Sequence, residues 1–143
     1  MIVMLSGAIV GKTTKGIDNF YEKYEEKEFK EGKEISRRFQ SVMDSIEDTF
    51  NTKQPQNILT QRTLFYSLFV LLYDLQFGIV SMTSAKKTKV KTITKQQASR
   101  IEEFGNKIAL GDAPKEVLNA YQKNTTNIKS RTVLFNYLKE KVG

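Results

Sequence analysis

The segment TLFYSLFVLLYDLQFGIV at residues 63–80 constrains the fold most, because it is apolar nearly all round. A helix without a polar face has to be covered on every side, so its place is the centre of a helical bundle. A membrane span is the alternative, but a span needs about 20 apolar residues. This segment is shorter, and it contains Asp74 and Gln76. We therefore expect a central apolar helix near 63–79 and no membrane partner.

Apolar residues on both sides of this segment recur at spacings of three and four, the period of one helix face. These stripes predict helices at about 2–10, 17–24, 34–50, 101–108 and 127–142. Their inward-facing residues include Phe39 and Ile128. A further helix start is predicted at DAPKEVLNAY, with Asp112 as the cap and Pro114 in the first turn. No strand-like alternation persists, so we expect one all-α domain over 1–143, a bundle of about six helices.

The chain has no cysteine and no histidine, which excludes most of the usual catalytic sites. Thiol nucleophiles, Ser-His-Asp chemistry and nearly all zinc sites need one of these residues. Carboxylates such as Asp44, Glu47 and Asp48 could hold a hard cation, but a solvated helix face is the preferred interpretation. We expect no catalytic residue, metal ligand or cofactor in this chain alone. No basic stretch precedes the apolar residues 2–5, so we also expect a cytoplasmic protein without a signal peptide.

Positive charge is concentrated in one part of the chain. Residues 1–50 carry eight Lys/Arg against ten Asp/Glu, whereas residues 51–143 carry fifteen against six. The stretch TSAKKTKVKTITK at 83–95 has five lysines and no acid, which predicts an exposed basic loop. A solubilising loop is one interpretation, and contact with nucleic-acid phosphates is the other. The candidate phosphate contacts are Lys86, Lys87, Lys89, Lys91, Lys95, Arg100 and Arg131, with Arg62 as a further candidate.

The stretch SGAIVGKTT at 6–14 is similar to a phosphate-binding loop. Such a loop has four residues between its first glycine and the glycine before the lysine, and it joins a β-strand to a helix. Only three residues separate Gly7 from Gly11, and the rest of the chain offers no partner strands. A nucleotide-binding site with Lys12 on phosphate and Thr13 on magnesium therefore remains only an alternative. We expect the stretch to be a structural link.

Three further stretches carry a family resemblance: KGIDNFYEKYEEKEF, ISRRFQSVMDSIEDTF and RTLFYSLFVLLYDLQFG. Their order resembles the helical part that follows the ParB-like nuclease domain in the domain-of-unknown-function family 262, which includes relatives of GmrSD-type restriction systems. The matching positions are Ile17, Asp18, Phe20 and Tyr21; Phe39, Val42 and Ile46; and Arg62, Phe65, Tyr66, Leu68 and Phe69. In that family the nuclease chemistry belongs to the preceding domain, whose motifs do not occur here. The resemblance thus implies either a C-terminal fragment of a longer protein or a small protein that keeps only the helical part, and it assigns no catalytic residue.

Three functional hypotheses follow. The first is a non-catalytic helical accessory module of a bacterial DNA-targeting defence or restriction protein. Its partners would be a preceding ParB-like catalytic domain or another protein, and nucleic-acid phosphates bound by the basic loop. The alternatives are a nucleotide-binding enzyme that uses the degenerate loop at 7–14, and a plain protein-interaction bundle.

Overall fold

The computed structural model describes residues 4, 7–9, 11, 14–25, 32–50, 57–79, 91–123 and 125–143. The helices are α1 (Thr14–Glu25), α2 (Gly32–Thr49), a 3₁₀ turn (Ile58–Thr60), α3 (Arg62–Phe77), α4 (Lys95–Ala109), α5 (Lys115–Gln122) and α6 (Ile128–Val142). Within these described ranges no residue forms a β-strand. The predicted all-α bundle of about six helices is therefore confirmed.

Helix α3 is the centre of the core, as its apolar sequence predicts. Every residue from 67 to 73 is buried, and the helix packs against α2, the 3₁₀ turn and α6. Gln76 is buried too, and its amide is satisfied by two serines of α2. It accepts from Ser41 Oγ at 2.8 Å and donates to Ser45 Oγ at 2.7 Å. Such bonds are what allows a polar side chain to stay inside an apolar core.

Helices α3 and α6 run parallel. The Arg131 guanidinium lies over the Tyr66 ring, and Lys139 forms an ion pair with Asp74 at 3.0 Å. In both contacts the α6 residue comes 65 positions after its α3 partner, so the two helices advance in the same direction. Their first turns therefore lie at one end of the bundle and their last turns at the other.

Helix α4 runs antiparallel to α6. Phe104 stacks on Tyr137 with ring centroids 6.0 Å apart, and Gln97 at the start of α4 donates to the carbonyl of Val142 at the end of α6. The end of α3, the start of α4 and the end of α6 consequently meet at the same end of the bundle.

Some predicted helix boundaries are wrong. The predicted helix at 2–10 does not extend that far, because residues 7–9 and 11 are not helical. Gly7 has a φ of 65°, a left-handed conformation that glycine adopts without a steric penalty. Asp112 does not cap α5, since Pro114 occupies the N-cap position ahead of Lys115. The start of α6 is as predicted, with Asn127 accepting a hydrogen bond from the amide of Lys129.

Two residues of the predicted apolar stripes are exposed. Phe39 is 46% exposed and Ile128 is 49% exposed. Phe39 stacks at the rim of the core on Phe69, with ring centroids 5.3 Å apart, so only part of its ring is covered. Ile128 is the first residue of α6, where fewer neighbouring turns cover the helix, whereas Leu134 farther along is fully buried.

Candidate nucleic-acid interface

Four of the seven predicted nucleic-acid contacts belong to the described residues: Lys91, Lys95, Arg100 and Arg131. The other three, Lys86, Lys87 and Lys89, lie outside the described residues. The placement of the four described cations decides whether they can share one surface.

Lys91 and Lys95 are exposed where the chain enters α4. The backbone N–H of Lys91 donates to the carbonyl of Leu75 at 3.2 Å, so this segment starts against the last turn of α3. Thr94 and Gln97 then form a capping box that begins α4. Lys95 is thus the first residue of a helix, which corrects the predicted loop at 83–95: it ends at Thr94.

Helix α6 adds two lysines at the same end. Lys139 is exposed and forms an ion pair with Asp74, while the Lys141 ammonium lies 5.3 Å from the centroid of the Phe104 ring. We call the group of Lys91, Lys95, Lys139 and Lys141 the basic end. The two α6 lysines were not among the predicted contacts, although the sequence places them in the last turn of a predicted helix.

Three carboxylates of the described residues lie near the four lysines of the basic end. Both carboxylate oxygens of Asp74 have a partner. Oδ2 accepts from the Lys139 ammonium, and Oδ1 accepts from the backbone N–H of Ile79 at 3.0 Å. Glu140 on α6 is exposed, and Asp48 on α2 lines a cavity together with Lys91. Lysines in the last turn also interact favourably with the helix dipole, so Lys139 and Lys141 have a structural role as well.

Arg100 and Arg131 are placed differently from one another. Arg100 is exposed on α4, five residues or roughly 7.5 Å of helix beyond Lys95, so it flanks the basic end. Arg131 is half-buried in the first turns of α6, with its guanidinium carbon 4.1 Å from the centroid of the Tyr66 ring. It lies eight residues, or about 12 Å of helix, before Lys139. The structure therefore does not bring Arg131 to the basic end.

Close packing accounts for Gly11 in the stretch similar to a phosphate-binding loop. A Cβ atom there would lie 3.2 Å from the carbonyl oxygen of Thr126 and 3.3 Å from the backbone nitrogen of Ile128. Met4, ahead of the stretch, is helical, whereas a phosphate-binding loop follows a strand. Lys12 and Thr13 lie outside the described residues. Close packing therefore explains why position 11 is a glycine, without a bound phosphate.

A separate charged cluster joins α2 to α3. Glu34 accepts hydrogen bonds from Arg37 at 2.6 and 2.8 Å and from Arg38 at 2.8 Å, and Arg38 also donates to the Tyr73 hydroxyl at 3.0 Å. The bonds from Arg37 and Arg38 lower the pKa of Glu34 from 4.5 to about 2. The Arg38 side chain is only 11% exposed because it reaches the core.

The carboxylates that could hold a hard cation lie along α2. Asp44, Glu47 and Asp48 are exposed on α2. The described part of the chain contains no group of three residues that could hold a metal ion. It also contains no helix with the length and apolarity required to cross a membrane.

Comparison with family models, curated proteins and solved structures gave no significant match. The resemblance to family 262 therefore stays a prediction that rests on the quoted motifs. The described residues form an all-α bundle with a basic end.

Proposed function

We propose that this chain is a non-catalytic helical module of a bacterial DNA-targeting defence or restriction protein, and that its basic end contacts nucleic-acid phosphates. The observation that carries the proposal is the convergence of Lys91, Lys95, Lys139 and Lys141 from two separate parts of the chain. Among the described residues the nearby acids are Asp74, Glu140 and Asp48, which lines a cavity together with Lys91, so the four lysines leave this surface with a small net positive charge.

The chemistry of the basic end suits contact with the nucleic-acid backbone. An ammonium group is a point charge that neutralises a phosphate and releases a condensed counterion, without reading the base sequence. In the sequence, Lys86, Lys87 and Lys89 come directly before Lys91 and add three positive charges to the same stretch. Binding through this surface should depend strongly on salt and little on base sequence.

The accessory role is supported by two features of the sequence. The motifs that resemble family 262 correspond to a helical part that follows a catalytic domain in that family. The absence of histidine and cysteine removes the usual catalytic groups from this chain. A ParB-like catalytic domain, in the same protein or as a partner, would supply the chemistry.

The decisive experiment measures the salt dependence of duplex DNA binding by three proteins: the wild type, Lys91→Gln/Lys95→Gln and Lys107→Gln/Lys115→Gln. Each double variant removes two positive charges. Lys107 and Lys115 are exposed near the far end of α4 and at the start of α5, so they form the matched control. Replacing Lys91 and Lys95 should reduce the slope of log affinity against log salt by roughly two units, while the control slope stays unchanged.

A wider variant tests the whole basic stretch. Replacing Lys86, Lys87 and Lys89 together with Lys91 and Lys95 should reduce the slope by roughly four to five units if each contacts a phosphate. Exposed charges contribute little to folding, so the free energy of unfolding should change by less than about 0.5 kcal/mol. Absence of wild-type binding at low salt, or equal slopes for both double variants, would favour the plain protein-interaction bundle instead.

A further inference from the structure

A cavity of about 180 Å³ opens beside the first turns of α3 and α6, at the opposite end of these helices from the basic end. The described residues that line it are Arg62, Thr63, Tyr66, Thr125, Thr126 and Arg131. Two of them are arginines, and none of them is acidic. Pockets for drug-sized ligands measure roughly 300–1,000 Å³, so this cavity suits one small chemical group.

The two arginines reach the cavity from different helices. Arg131 comes from α6 and is positioned by the Tyr66 ring, over which its guanidinium lies at 4.1 Å in a cation–π contact. Arg62 is the exposed first residue of α3 and lies one turn before Tyr66 on the same face. No carboxylate of the described residues forms an ion pair with Arg62. The described lining residues thus give the cavity two guanidinium groups and no carboxylate.

The other lining residues carry hydroxyl groups, which can donate or accept hydrogen bonds. The hydroxyl oxygen of Tyr66 is buried, and in the described part of the chain no group forms a hydrogen bond with it. Thr63, Thr125 and Thr126 supply three more hydroxyls. Gln61, the N-cap residue of α3, makes no side-chain capping bond, so the first-turn amides of α3 are not satisfied by that side chain. Together these groups form a donor-rich cavity.

We infer that this cavity binds a phosphate monoester or inorganic phosphate. A phosphate monoester carries about −1.5 to −2 charges at pH 7 and three strong acceptor oxygens, which matches two guanidinium groups and several hydroxyls. A carboxylate has one charge and two coplanar oxygens, so it would leave donors on some sides of the cavity unused. The parallel N-termini of α3 and α6 add positive potential at the same place.

Isothermal titration calorimetry tests the ligand class, with inorganic phosphate, adenosine monophosphate, adenosine and acetate as probes. Saturable binding of phosphate and of adenosine monophosphate, without binding of adenosine or acetate, is the expected result. A preference for adenosine monophosphate would identify a nucleotide as the source of the group, and a preference for inorganic phosphate would identify the free ion. Binding of acetate as tight as that of phosphate, or no saturable binding of phosphate, would overturn the inference.

Three single variants locate the site. Arg62→Gln removes an exposed charge and should weaken phosphate binding by about tenfold or more. Tyr66→Phe keeps the ring under Arg131 but loses the hydroxyl, and should weaken binding about 3- to 10-fold. Lys115→Gln removes an equal charge elsewhere and should have no effect. Equal losses in Arg62→Gln and Lys115→Gln would show non-specific attraction and overturn the assignment.

The phosphate site and the proposed nucleic-acid contact can be separated, since they lie at opposite ends of α3 and α6. Arg62→Gln should weaken phosphate binding while the salt slope for duplex DNA stays that of the wild type. Lys91→Gln/Lys95→Gln should reduce the salt slope for duplex DNA while phosphate binding stays that of the wild type. Loss of both activities in Arg62→Gln, with its helical circular dichroism spectrum intact, would contradict the assignment of two distinct sites.

Discussion

Glu34 links the exposed start of α2 to the buried side of α3. Its carboxylate binds Arg37 and Arg38, and Arg38 in turn donates to the hydroxyl of the fully buried Tyr73. Arg38 also lies 5.0 Å from the centroid of the Phe77 ring. A charged side chain close to the core is thereby paired with a carboxylate, a hydroxyl and an aromatic face, which offsets the cost of removing it from water.

This arrangement makes the contribution of Glu34 to stability dependent on pH. Its pKa is about 2 in the folded protein, below the ordinary 4.5, so its contribution is full above roughly pH 4.5 and is lost as the pH falls towards 2. The Glu34 side chain is 41% exposed, so solvent screens the pairs and Glu34→Gln should cost only about 0.5–1 kcal/mol at pH 7. Urea unfolding of both proteins from pH 7 down to pH 2 measures the difference. A difference that stays constant over this range would contradict the assigned pKa.

Helix α3 shows how an element without a polar face is accommodated. Its apolar residues meet α2 on one side and α6 on another, and the 3₁₀ turn packs against it as well. Its two buried polar side chains are Ser67 and Gln76, and Gln76 is bonded to serines of α2. The helix ends at Phe77, where Gly78 turns the chain with a φ of 78° and donates its N–H to the carbonyl of Asp74.

The central position of α3 predicts a large effect of a single truncation. Leu68 is completely buried, so Leu68→Ala should lower the free energy of unfolding by about 2–5 kcal/mol through lost burial and the cavity that remains. Leu110→Ala is the matched control, because Leu110 is 83% exposed and its replacement should cost less than about 0.5 kcal/mol. Denaturant unfolding monitored by circular dichroism gives both values. Similar losses for the two variants would mean that α3 is not the centre of the core.

At the scale of the whole molecule, one hydrophobic core connects the helices from α2 to α6. Its buried residues come from each of these elements, including Val42 of α2, Ile101 of α4, Val117 of α5 and Leu138 of α6 around α3. A shared core couples the stability of its parts, because unfolding one helix exposes the faces of its neighbours.

The protein should therefore unfold in one cooperative transition. Far-ultraviolet circular dichroism reports the helices, and tyrosine fluorescence reports the packing, since the chain has six tyrosines and no tryptophan. The two signals should change with the same midpoint, and the folded spectrum should be that of a helical protein. Two separated transitions, or substantial β content, would contradict a single helical core.

Helical character, the central apolar segment and the start of α6 near Asn127 could be predicted from the sequence because they depend on local geometry. A stripe with spacings of three and four, or a capping side chain next to its helix, involves residues within a few positions of each other. The same local rule failed at Phe39 and Ile128, since periodicity identifies a face but does not say how far the neighbouring helices cover it.

Only the tertiary structure decided which distant residues meet. Lys91 and Lys139 share one end of the bundle, and Arg62 and Arg131 line one cavity, although each pair is separated by a large part of the chain. These residue pairs are brought together because α3 and α6 pack in parallel and α4 packs antiparallel to α6. The direction in which two helices pack is set by how their side chains fit together, a property of the folded pair that neither helix contains in its own sequence.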